Sequence, residues 1–209
     1  MDRTVYPIIG MSPGNSYFKD AETKFLLKKV VGLYGRTAIF VADIPAIATY
    51  MAFGYPENRA RNKAIPKGNN LKNRSSRIAK ELGIDDKVFI IDWQGDIEGN
   101  DEYHSYYEAI NNLYQTNQSF AEIAHKTTRD VLLGSNRNIV DIESATKIAV
   151  HYLLSELAFL EYAPTFFKTE SIVYVYYRNW PVYEQYIAGV FDGKIKNHLK
   201  FLVLAGTNK

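Results

Sequence analysis

The 209-residue chain has no cysteine, which excludes disulfides, thiolate catalysis and cysteine-bound zinc. Its four histidines, His104, His125, His151 and His198, show no metal-ligand spacing. Chemistry therefore falls to oxygen nucleophiles, carboxylates or imidazole. No continuous apolar stretch approaches the roughly 20 residues that a membrane span needs. The start, MDRTVYPIIG, carries an acid at Asp2 and an apolar run broken by Pro7, so it lacks the basic beginning and long apolar core of a signal peptide. A cytoplasmic monomer, with neither metal nor membrane as a partner, is expected.

Aromatic residues are plentiful, with 16 tyrosines and 11 phenylalanines. They supply core and pocket walls, and bases can stack on them where they are exposed. The length and the 46% hydrophobic content suit one sizeable core, read as a single domain over residues 1–209. A net charge of +2 conceals an asymmetry. Between Glu57 and Lys80 stand eight basic residues (Arg59, Arg61, Lys63, Lys67, Lys72, Arg74, Arg77, Lys80) against one acid, a local excess of seven that leaves the remainder five negative.

Apolar runs at 5–11, 38–42 and 87–91 alternate with helical patterns at 21–34 and in the basic stretch, which predicts a parallel α/β sheet. Asp20 is placed to cap the first helix and Gly35 to end it. Two polar-faced helices are expected from Asp101 to Leu133 and a long one from an Asp141 cap to about Leu160. Further strands are expected at 171–177 and 199–204.

Ser12 lies in the segment Gly10-Met11-Ser12-Pro13-Gly14-Asn15 directly after the first strand, where an open α/β sheet places its ligands. Read alone, the segment is most simply a Ser-Pro-Gly turn. It also matches the G-x-S-x-G nucleophile elbow of serine hydrolases. Only eleven residues precede the serine, however, and His125 and His151 fall in helices rather than in the late loop where that fold carries its base.

In the apolar helix 142–160, Glu156 has little water to turn to. At 100° per residue, Ala149, Tyr152, Glu156 and Phe159 point within about 80° of one another, so Tyr152 and Glu156 share a face. An ionised carboxylate there needs a cation or strong donors. A substrate ammonium and a buried Arg or Lys fit equally well.

In the basic stretch, Leu71, Ile78 and Leu82 form one stripe and Lys72, Arg74, Arg77 and Lys80 face the other way, toward solvent. Pro66, Gly68, Asn69 and Asn70 read as a loop that lacks a G-x-x-x-x-G-K-[ST] cradle. The uncompensated charge therefore suits a nucleic-acid backbone better than a nucleotide cofactor.

Taken together, these features resemble the cyclodipeptide synthases from Val5 to about Leu204. The strand and loop Ile8-Ile9-Gly10-Met11-Ser12-Pro13-Gly14-Asn15 match the family's Gly-x-Ser-x-x-Asn signature. Tyr152-Leu-Leu-Ser-Glu156 matches its Tyr-x-x-x-Glu pair, and Tyr176, before Pro181, matches its later catalytic tyrosine. The resemblance implies a Rossmann-like, mostly parallel sheet with helices on both faces, similar to class I tyrosyl- and tryptophanyl-tRNA synthetase catalytic domains. It implies two aminoacyl-tRNAs as substrates and no ATP, metal or other cofactor. It also implies a ping-pong route with Ser12 as nucleophile, Tyr152 and Glu156 holding the amine, and Tyr176 relaying protons. The first aminoacyl pocket would be lined by Ile8, Gly10, Phe40, Phe159 and Tyr174, with Tyr177, Asn179 and Asn136 also facing substrate. Asn15 and Tyr176 fit the Asn-Tyr-His group, whereas Tyr177 stands where that group has histidine and Asn179 where the family has aspartate.

Overall fold

The structure, a computed structural model, describes residues 5–135 and 137–206. Five strands form one sheet: β1 (Val5–Met11), β2 (Thr37–Val41), β3 (Val88–Ile90), β4 (Ser171–Tyr176) and β5 (Leu199–Val203). They lie in the order β3-β2-β1-β4-β5, and every pairing is parallel. β1 is the central strand, pairing Gly10 with Phe40 on one side and Ile8 with Tyr174 on the other. The chain winds outward from β1 to β3, then restarts beside β1 with β4. The carboxyl end of β1, where Ser12 follows, is therefore the point at which strand order reverses and where such sheets open a crevice.

The two-residue strand period sorts the core into two layers. Ile9, Met11, Ile39, Val41, Val173 and Val175 face one side, where α1 (Asp20–Tyr34) adds Leu26, Leu27 and Val30 and α3 (Glu57–Glu81) adds Leu71 and Ile78. Ile8, Ala38, Phe40 and Tyr174 face the other side. There they meet α4 (Asp101–Thr116), α5 (Gln118–Leu133), α6 (Ile142–Phe167) and α7 (Pro181–Ile187), with α2 (Ala46–Ala52) packed against α6. Helices thus cover both faces of an α/β sheet. Among the described residues, no helix is long and apolar enough to cross a membrane.

Three local expectations are corrected. Residues 66–70 are not a loop, because α3 runs unbroken through Pro66. Its buried positions Ala60, Ala64, Gly68, Leu71, Ser75 and Ile78 form one stripe across the supposed break, and burial along that stripe outweighs propensity. Pro66 and Asn62, whose carbonyl loses its helical donor there, are both exposed. Asp20 is the first residue of α1 rather than its cap, and its carboxylate binds Arg74 and Arg77 instead. α6 continues past Leu160 to Phe167 because Tyr162 and Ala163 remain buried and extend its apolar contact. The Asp141 cap forms as expected, accepting the N–H groups of Glu143 and Ser144, and Gly35 ends α1 at a φ of 77°.

Candidate active site

Ser12 opens the loop after β1, and Gly14, at a φ of 77°, turns that loop in the left-handed region that favours glycine. Asn15 fixes the loop. Its Oδ1 accepts the Tyr17 N–H at 2.9 Å and its Nδ2 donates to Tyr177 Oη at 3.0 Å. Tyr177 in turn stacks on Tyr17 with centroids 3.9 Å apart. The side chain at the departure from histidine thus braces the serine loop.

Two phenols converge on the serine from separate elements. Tyr176, at the end of β4, places its hydroxyl 2.9 Å from Ser12 Oγ, and Tyr152, on α6, reaches the same atom at 3.1 Å. Tyr152 Oη is also 3.2 Å from Glu156 Oε1, one helical turn on, so serine, phenol and carboxylate form a continuous hydrogen-bonded path.

Glu156 is only 7% exposed, and no cation pairs with it among the described residues. Its oxygens instead accept from Tyr183 at 2.6 Å, Tyr152 at 3.2 Å and Tyr174 at 3.4 Å. Burial pushes its carboxyl up from 4.5 to about 7, against the opposing pull of these donors. Burial, followed by the Glu156 charge, also holds the phenols of Tyr152, Tyr174, Tyr176 and Tyr183 above their ordinary value, so they remain protonated donors. The open choice between a buried basic partner and a free amine site is narrowed, since the partners present are three phenols and none of them neutralises the charge.

A cavity of about 490 Å³ opens over this path, with Ser12, Tyr152, Glu156, Tyr176 and Tyr183 in its wall. The expected first aminoacyl pocket is not part of it. Ile8, Phe40 and Phe159 are fully buried, and the rings of Phe40 and Phe159 stack at 4.1 Å and 6°. Tyr174 is 2% exposed and fills the space above Gly10, where an added Cβ would come within 2.0 Å of its hydroxyl. These side chains close on one another as core, and Gly10 is the gap through which Tyr174 reaches Glu156. Asn179 is exposed and lies outside the cavity wall, and Asn136 lies outside the described residues. Tyr183 was missed because nothing marks the third residue of a Pro-started helix as a carboxylate partner.

The basic stretch divides in two. Lys72 is not on the solvent face: its side chain is 14% exposed and its ammonium meets Asp43 at 2.8 Å and Asp92 at 3.0 Å. Burial alone would lower that ammonium's pKa, but the hydrogen bonds to both acids hold it above its ordinary value. Arg74 pairs with Asp20 at 3.1 Å and with the Phe18 carbonyl, and Arg77 with Asp20 and Glu81, both at 2.6 Å. The fold thus supplies the acids missing from the local sequence. Arg59, Arg61, Lys63, Lys67 and Lys80 take part in no ion pair among the described residues.

No histidine touches Ser12 among the described residues. His151 bonds to Tyr107, His125 to Tyr114, His104 to the Glu98 carbonyl and His198 to Glu161. The elbow of a serine hydrolase has no base here.

The model of the cyclodipeptide synthase family matches residues 1–205. The chain belongs to that family. Among curated members, it is 23% identical over 181 residues to the cyclo(L-leucyl-L-phenylalanyl) synthase of Streptomyces noursei, covering 86% of this chain and 76% of the relative. It is 22% identical over 202 residues to the cyclo(L-leucyl-L-leucyl) synthase of Bacillus subtilis, covering 94% and 77%. Among solved structures, the synthase of Staphylococcus haemolyticus superposes with a TM-score of 0.84 at 18% identity, covering 98% of this chain and 92% of that one. A Mycobacterium tuberculosis member, described as relating these enzymes to type I tRNA synthetases, superposes at 0.77 with 16% identity, over 95% and 84%. A synthase of Candidatus Glomeribacter gigasporarum bound to Phe-tRNAPhe superposes at 0.62 with 16% identity, over 100% and 92%. This protein is therefore an enzyme of the cyclodipeptide synthase family, with the Rossmann-like fold of its relatives.

Proposed function

We propose that this synthase draws both aminoacyl groups from aminoacyl-tRNAs and joins them into a 2,5-diketopiperazine by a ping-pong route through Ser12. The observation that carries the reading is the path from Ser12 Oγ through Tyr152 to Glu156, with Tyr176 on the same serine oxygen. The relative bound to Phe-tRNAPhe supports the choice of acyl donor.

Ser12 Oγ attacks the ester carbonyl of the first aminoacyl-tRNA. The new serine ester forms, the bond to the terminal ribose oxygen breaks, and the serine proton passes by way of Tyr176 to the departing ribose. The acyl group's ammonium is held by Glu156 and Tyr152. A carboxyl poised near 7 can pair with that ammonium and also take its proton, leaving an amine able to attack. That amine attacks the ester of the second aminoacyl-tRNA, forming the peptide bond and releasing the second tRNA. The free amine of the dipeptidyl-enzyme then attacks the Ser12 ester, closing the ring and returning the proton to Oγ. No metal or ATP is required, because each acyl group arrives activated as an ester. The protein works as a cytoplasmic monomer of one domain, nearest the Asn-Tyr-His group, with Tyr177 in the third place bonded to the first-place Asn15.

Mass spectrometry of medium from cells expressing the protein tests the reading. Diketopiperazines accumulate with the wild type and disappear with Ser12→Ala, and intact-mass analysis shows an aminoacyl adduct on the wild type alone. Absence of every diketopiperazine from the wild-type culture overturns the proposal.

A further inference from the structure

Tyr183 donates the shortest hydrogen bond to Glu156, yet α7, which carries it, has little of its own to hold it in place. The helix is 7 residues long, below the length at which a helix is stable by itself. Its N-cap, Trp180, makes no side-chain capping bond, and the helix packs mainly on α5 and β5. Val182 is fully buried, but apolar burial is non-directional and does not aim a hydroxyl.

A second phenol–carboxylate pair supplies that aim. Tyr186 lies about one turn beyond Tyr183 on neighbouring positions of one helix face, and its hydroxyl donates to Glu161 Oε1 of α6 at 2.5 Å. The other carboxylate oxygen, Oε2, meets His198 Nε2 at 2.7 Å. His198 stands just before β5 and its carbonyl accepts the Ile172 N–H of β4 at 2.8 Å. Glu161 is thus tied both to α7 and to the sheet. Lys196 Nζ, paired with Asp192 at 2.6 Å, lies 5.1 Å from the centroid of the Tyr186 ring. Tyr186 is buried, and the Glu161 side chain is 11% exposed. Burial, followed by the Glu161 charge, holds the Tyr186 phenol above its ordinary value, so it stays a donor. Glu161, Tyr186 and His198 all lie outside the wall of the cavity over Ser12, and the proposed reaction uses none of them.

We infer that Tyr186 and Glu161 are positioning residues, whose bond fixes how α7 sits against α6 and so keeps the Tyr183 hydroxyl on Glu156. Their importance for turnover rests on the proposed role of Glu156 in the reaction. Without the Tyr186 bond α7 shifts, Tyr183 withdraws, and the carboxylate loses a donor that opposes the effect of burial. Its pKa then climbs further.

Isotope-edited NMR of glutamate-labelled protein tests the anchor by titrating Glu156, whose carboxyl resonance is identified by its absence in Glu156→Gln. Tyr183→Phe raises the midpoint. Tyr186→Phe, which keeps the packed ring, raises it as well, by about half a pH unit or more. The double variant titrates with Tyr183→Phe, because Tyr186 acts only through Tyr183. Glu161→Leu reproduces the rise by removing the other partner, whereas Glu161→Gln, which retains an acceptor for Tyr186, stays near the wild type. An unmoved midpoint in Tyr186→Phe or Glu161→Leu, or a further rise in the double variant, overturns the anchor. Diketopiperazine output from charged tRNA is followed in parallel, and the acidic limb of its pH profile moves upward in Tyr186→Phe. A wild type that makes no product sinks the synthase reading alone, since the titration needs no turnover. An active wild type whose Glu156 midpoint ignores Tyr186→Phe sinks the anchor alone.

Discussion

Glu156 is a buried carboxylate with no basic side chain paired to it among the described residues. Three phenols satisfy its oxygens but bring no positive charge, so burial dominates and the group titrates near 7 rather than 4.5. The linkage to stability follows. Between pH 4.5 and 7 the folded chain holds a proton that the unfolded chain has released, so the contribution of Glu156 to stability is fully present below pH 4.5 and is lost as pH rises through 7. The loss amounts to roughly 3 kcal/mol at about 1.4 kcal/mol per pKa unit. In Glu156→Gln, thermal melts at pH 5 and pH 8 should therefore differ less than in the wild type, while diketopiperazine output falls at least a hundredfold because the ammonium loses its counter-charge. A variant whose melting keeps the full pH dependence would place the titration elsewhere. The Tyr152–Glu156 pairing was legible from helical spacing alone, whereas Tyr183, the shortest donor to the carboxylate, arrives from α7 and has no local signature.

Among the elements, α3 departs most from its sequence pattern. Proline, glycine and two asparagines argue for a break, yet the helix continues because a stripe of small residues lets it pack closely. Gly68 lies against Asp43, and an added Cβ would come within 2.3 Å of the Asp43 Cβ. Gly68→Ala should accordingly destabilise the protein by about 1–3 kcal/mol in urea denaturation, the opposite of the gain of about 1 kcal/mol expected from helix propensity at an unhindered site. The clash pushes Asp43 off Lys72, so the cost comes from a broken buried contact. A stabilised Gly68→Ala protein would show that this packing is loose. β1, by contrast, was readable to the residue: it runs from Val5 to Met11, buried from Pro7 onward, and the loop that follows it bears Ser12.

Over the whole molecule, charge is organised by the fold rather than by the chain. The excess of seven between Glu57 and Lys80 is partly cancelled by Asp20, Asp43 and Asp92 from elsewhere in the sequence. The cations of that stretch left without an ion pair among the described residues are Arg59, Arg61, Lys63, Lys67 and Lys80. The dependence of RNA affinity on salt reports this partition, because each cation at a phosphate contributes close to one unit of slope in a plot of log affinity against log salt. Lys63→Gln should lower the slope by about one unit and Arg77→Gln should leave it unchanged. The reverse pattern would restore the C-terminal half of α3 as the RNA surface. Alternating strands and helices, the central apolar strand, the serine after it and the Tyr152–Glu156 face follow from the sequence by itself, because each depends on periodicity or on residues close in the chain. Only the tertiary structure decides which basic residues are already neutralised, that Tyr183 completes the carboxylate's shell, and that Ile8, Phe40, Phe159 and Tyr174 close into core. These outcomes depend on contacts between segments far apart in sequence, whose distances no local pattern encodes.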